Sequence, residues 1–90
     1  MRAAEPRPSE LALLGQAETL LTGDASAALA RLGEQARLYP HGAFAEEREA
    51  LAIDALQRLG RRAELRERGR AFLANYPHSA QRGRILKWLR

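Results

Sequence analysis

Ninety residues make one small domain, able to bury roughly 60–65% of the surface its unfolded chain exposes. Its 18 Ala, 15 Leu, 14 Arg and 9 Glu, with no Val and only two Ile and two Thr, argue for helices and against a sheet, and the lack of cysteine excludes disulfides, thiolate chemistry and cysteine-ligated metals. The formal charge of +4 is unevenly divided: residues 1–57 carry five Arg against seven Glu and two Asp, residues 58–90 nine Arg and Lys87 against two Glu, so an acidic half precedes a basic one.

The chain opens on "MRAAEPRP", which has two prolines and no periodic apolar residue; residues 1–8 are expected to form a frayed tail and residues 9–90 the domain. Ser9 can cap a first helix running to about Thr22, with Leu13, Leu14, Ala17, Leu20 and Leu21 as its apolar stripe. Gly23 is placed to stop it in the left-handed conformation. Asp24 then caps a second helix whose stripe is Ala25, Ala28, Leu29, Leu32 and Ala36, and Tyr39-Pro40 ends it, because the residue before proline is pushed out of the helical region.

A third helix is predicted from about Ala43 to Leu59, with Phe44, Leu51, Ala52, Ala55, Leu56 and Leu59 on one side and Gly60 as its stop. Arg48 falls on that stripe and is read as burying its stem while its head stays wet. The fourth helix runs from about Arg62 to Asn75, with Leu65, Gly69, Phe72 and Leu73 inward; Gly69 suits a close helix crossing. Ser79 caps a fifth helix bearing Ile85, Leu86, Trp88 and Leu89. Short connections make sequence neighbours antiparallel, so the fold class is all-α: an α-α superhelix of about five antiparallel helices.

"RLYPHGAF" and "ANYPHSAQ" place Tyr-Pro-His twice, 37 residues apart. The offset also relates Gly23 to Gly60, Ala43 to Ala80 and Leu14 to Leu51. A fixed period of this size built from two helices marks a solenoid, so the motif is punctuation between repeats. A metal site is not expected at His41 and His78, which occupy equivalent corners of successive repeats, one helix pair apart.

Glycine, sixteen residues and then a proline followed by a helix resembles the tetratricopeptide repeat, here as two and a half repeats over roughly residues 9–89. The stretches "YPHGAFAEEREALAIDALQRLG" and "FLANYPHSAQ" are similar to repeats of periplasmic bacterial proteins of cell division and of outer-membrane β-barrel assembly. This chain departs from that pattern at Gly42, where Ser is favoured, at Arg48, where a small residue is usual, and at Ala52 and Leu56 in place of large aromatics. It has no cysteine to carry a lipid. The resemblance implies a non-catalytic scaffold that clamps an extended peptide or a partner helix, in a bacterial envelope assembly.

No phosphate loop or nucleophile elbow is present, and the carboxylates of "AEEREALAIDA" fall mostly on the polar side of a helix, so no enzyme, cofactor or metal is expected. A protein or peptide partner is expected instead. Its candidate contacts are Glu47 and Asp54 on the concave wall, Arg61, Arg62, Arg66 and Arg70 of the basic run "RRAELRERGR" for an acidic partner, and Leu86 and Trp88 at the chain end. No aromatic residues interleave with those arginines to stack bases, which argues against nucleic acid. Trp88 either caps the last helices or belongs to an apolar patch, through which the C-terminal helix could self-associate.

The alternative role is a regulatory appendage at the C-terminus of a bacterial sensor or anti-sigma-type protein. No apolar run approaches the ~18 residues of a membrane span, and the N-terminus is too polar for a signal peptide. The compartment stays open: cytoplasm, or periplasm and cell envelope if the chain is a fragment of an exported protein.

Overall fold

A computed structural model describes residues 7–90. The expected tail falls mostly on residues 1–6, which lie outside the described residues. Arg7 and Pro8 are fastened to the first corner: the Tyr39 hydroxyl donates to the Pro8 carbonyl at 2.6 Å, and the Arg7 guanidinium lies 5.9 Å from the Tyr39 ring centroid. Five helices follow: α1 (Glu10–Leu20), α2 (Ala25–Leu38), α3 (Ala45–Leu59), α4 (Arg62–Asn75) and α5 (Arg82–Trp88). No helix among them is long and apolar enough to cross a membrane.

The expected caps form. Ser9 Oγ accepts from the Ala12 N–H at 3.0 Å, and Asp24 Oδ1 accepts from the Ala27 N–H at 3.0 Å, each satisfying an amide that has no partner within its helix. Gly60 adopts φ 71°, with the Gly60 N–H on the Gln57 carbonyl and the Arg61 N–H on the Leu56 carbonyl, the paired bonds of a Schellman close. Gly23 does not share this conformation: among the described residues Gly60 is the one glycine with positive φ. Residues 21–24 separate α1 from α2, which gives the chain room to turn without a left-handed residue, and the Asp24 N–H closes the turn on the Leu20 carbonyl at 2.7 Å. Between α3 and α4 only residues 60 and 61 are available, and so abrupt a reversal needs the left-handed residue.

The two Tyr-Pro-His corners are built alike. Tyr39 closes α2 at φ −134°, ψ 62°, and Tyr76 closes α4 at φ −130°, ψ 63°. Their amides donate to Gln35 and Phe72, each at 2.8 Å, and the Gly42 and Ser79 amides return to the Tyr39 and Tyr76 carbonyls, each at 3.1 Å. Every one of these pairs is related by the 37-residue offset. The corners differ in what covers the next amide. Ser79 Oγ accepts from the Gln81 N–H at 3.1 Å, so it caps the turn that leads into α5, and the helix itself begins at Arg82. At the equivalent Phe44 N–H the acceptor is Glu10 Oε2 of α1, at 3.1 Å, which also takes a long 3.5 Å bond from Gln35 Nε2. A β-carbon at position 42 would overlap that carboxylate, so any side chain there would have to displace Glu10 from the Phe44 N–H.

Two apolar clusters share one helix. Leu14, Ala17, Leu21, Ala28 and Leu32 close on Ala52 and Ala55 of α3, while Ala50, Ile53 and Leu56 of α3 close on Leu65, Phe72 and Ile85. α3 touches all four other helices, so it is buried on more than the single side its apolar spacing implied; Leu59, expected on that side, is exposed. In α2 the buried position beyond Leu32 is Gln35, outside the expected stripe. At Gly69 a β-carbon would press on Leu89, so that glycine does allow α5 to sit close on α4.

Buried charges are paired or bonded. Arg48, expected to keep its head in water, is buried, and its Nη1 donates at 2.9 Å to the Tyr39 carbonyl at the end of α2, a position that favours a cation. Arg68 of α4 grips Glu49 of α3 through two bonds of 2.8 and 2.9 Å. That contact raises the Arg68 pKa above its ordinary value, against the opposing effect of burial.

Candidate interaction cleft

α1, α3 and α5, the first helices of successive pairs, lie side by side, while α2 and α4 do not touch one another. The wall formed by the first helices holds a cleft of about 290 Å³. Glu18 of α1 contributes one side, Glu46, Glu47, Ala50 and Leu51 of α3 the middle, and Ala80, Gln81 and Arg84 the far side. Ala50, Leu51 and Ala80 supply its apolar lining, beside three carboxylates and the Arg84 guanidinium. None of the three is in an ion pair with another described residue. Arg84 donates to Gln81 Oε1 and lies 5.1 Å from the Trp88 ring centroid. The cleft therefore offers negative charge above small apolar side chains, which suits an extended segment carrying cationic residues.

The charged candidate contacts separate into three groups. Glu47 lies in the cleft. Arg66 and Arg70 are exposed on α4, away from it, and pair with no carboxylate among the described residues; Arg61 is also exposed and makes a loose 3.9 Å pair with Glu64, of little energetic weight. Asp54 and Arg62 are structural. Asp54 is 5% exposed and accepts from Arg58 Nε at 2.8 Å, because α3 turns that face toward its neighbours rather than toward solvent. Arg62 donates to the carbonyls of Trp88 at 3.0 Å and Arg90 at 3.1 Å, fastening the end of α5 to the start of α4.

Glu18 and Leu51 lie within the stretches expected to build the concave wall, around Leu13–Leu21 and Glu47–Asp54, although neither is a candidate contact by name; Arg84 lies outside that expectation. Glu46 belongs to the carboxylate run of α3; of that run Glu49 and Asp54 are taken up by Arg68 and Arg58, while Glu46 and Glu47 pair with no cation among the described residues. Leu86 is exposed at the chain end. Trp88 is half-buried and packs on the second apolar cluster, so of its two readings the structure favours the cap. Trp88→Ala should therefore lower stability by about 1–3 kcal/mol, a fall of roughly 5–15 °C in Tm. A thermal melt indistinguishable from that of the unaltered protein would return Trp88 to the role of a docking residue.

His41 and His78 are exposed at their corners. Among the described residues no three His, Asp or Glu side chains converge to hold a metal ion. Comparison with known proteins returns no match: no family model fits the chain, and no curated protein or solved structure matches it.

Proposed function

We propose that this domain is a non-catalytic protein–protein interaction scaffold of tetratricopeptide-like helical pairs, holding an extended polypeptide along the wall of α1, α3 and α5. The observation that carries the reading is the cleft itself, lined by Ala50 and Leu51 and by three carboxylates that pair with no cation among the described residues. The matching hydrogen bonds of the two Tyr-Pro-His corners support the repeat. The bacterial envelope assembly implied by the resemblance is the setting proposed for such a scaffold.

The polarity of the cleft refines the partner. A segment seated there carries lysine or arginine, and an acidic partner would instead meet Arg66 and Arg70 on α4. The test is a titration of the isotope-labelled domain with two short extended peptides, one alternating Leu with Lys and one alternating Leu with Glu. The basic peptide should shift the amide resonances around Glu18, Glu46, Glu47 and Leu51. Changing all three glutamates to glutamine should weaken that binding about tenfold at low salt, since exposed charge contacts are worth ~0.2–1 kcal/mol each. Shifts confined to α4, or an unchanged affinity in the triple variant, would count against the cleft.

A further inference from the structure

The two end helices carry opposite charge, and each exposes one large apolar side chain, Leu11 on α1 and Leu86 on α5. α1 contains Glu10 and Glu18 and no cation, whereas α5 contains Arg82, Arg84 and Lys87 and no carboxylate. On α1, Leu11 is 61% exposed beside a shallow hollow bounded by Gly15, Gln16, Thr19 and Leu20. The hollow is open at Gly15, where a β-carbon would have no neighbour within 4 Å. On α5, Leu86 is 38% exposed, with Arg82, Lys87 and Arg90 exposed near it.

The 37-residue offset shows what these faces are. Gly15 corresponds to Ala52, which α3 buries in the cluster it shares with the preceding pair. Leu86 corresponds to Glu49, which meets Arg68 of the following helix. Each end of the stack thus presents the surface that the central helix uses to pack against a neighbour.

We propose that these two faces meet between copies of the chain, α5 of one copy docking on α1 of the next. Leu86 enters the hollow at Gly15, and the cations of α5 lie over Glu18. α1 and α5 of one copy do not touch and lie on either side of α3, so two copies joined at one junction leave the other pair of faces apart and the association continues head to tail. A contact centred on one exposed leucine and a few surface charges is weak, with Kd on the order of 0.1 mM.

Sedimentation of the full chain from about 10 µM to 1 mM should show a weight-average mass that rises past the dimer, and association should weaken several-fold between about 50 and 500 mM salt. Gly15→Arg fills the hollow with a cation and replaces a helical glycine by a better helix former, so its fold is not at risk. Leu86→Ala removes the protruding side chain. Each variant alone should associate at least tenfold more weakly, while their equimolar mixture, which retains one intact junction, should form a dimer and stop there. A wild-type chain monomeric throughout, an association that ends at a dimer, or a mixture no more associated than its components would overturn the proposal.

Discussion

Phe72→Ala should leave the domain barely folded, at a cost of about 3–5 kcal/mol. A chain of this size has only about 5–10 kcal/mol in total, and Tm should fall by roughly 15–30 °C. Phe72 is 1% exposed and packs among Ile53, Leu56, Leu65 and Ile85, with its ring 5.0 Å from that of Tyr76. Those neighbours come from three helices, so the surroundings cannot collapse into the vacated space without moving α3. α3 also carries Ala52 and Ala55 of the other cluster. Trp88 fluorescence and far-ultraviolet circular dichroism should therefore follow a single transition in the variant.

The equivalent position in the first pair is Gln35, fully buried, with an Oε1 that no hydrogen bond reaches. A buried, unpaired carbonyl is destabilising by about 1–3 kcal/mol. Methionine has nearly the same shape without that oxygen, so Gln35→Met should gain about 1 kcal/mol and raise Tm by roughly 4–8 °C. A loss of stability in urea denaturation would mean that Gln35 is satisfied by bound water and is part of a polar network.

Glu10→Ala should be costly for a residue at the rim of the core, about 2 kcal/mol. Its carboxylate supplies the acceptor for the Phe44 N–H and the partner for the Gln35 amide, and α3 has no side-chain cap of its own at Phe44. Gly42→Ser alone should also destabilise, because its β-carbon displaces that carboxylate. Position 42 does not have positive φ, so serine meets no backbone obstacle there. Once Glu10 is removed, a serine at 42 can cap the Phe44 N–H as Ser79 caps that of Gln81. The double variant should consequently be more stable than the two single losses predict, with a coupling of about 1–2 kcal/mol in a denaturation cycle. Strict additivity would show that Glu10 and a local serine are not alternative solutions to one unpaired amide.

Much of this molecule was legible in the residues. The Ser9 and Asp24 caps, the Gly60 close, the Tyr-Pro breaks and the bounds of α4 were all read in advance, and so was the all-α class. Each is decided within about four residues along the chain, by the reach of a side-chain oxygen to a nearby amide, by the missing β-carbon of glycine or by the ring of proline. Glu47 lines the cleft, and its place on the polar side of α3 follows from helical spacing.

Other features depended on how the hairpins stack. Gly23 and Gly60 look equivalent in the sequence, yet the number of residues left between the packed helices made only one of them left-handed. Glu10 meets the Phe44 amide across 34 positions, Arg62 reaches the end of α5 across 26, and Asp54 is buried because α3 has neighbours on several sides. The cleft likewise brings Glu18, Glu46 and Arg84 together from three helices. Periodicity tells which side of a helix is apolar, but the rotation of one helix against another is settled by interlocking side chains. Contacts between distant residues exist only after that rotation is chosen.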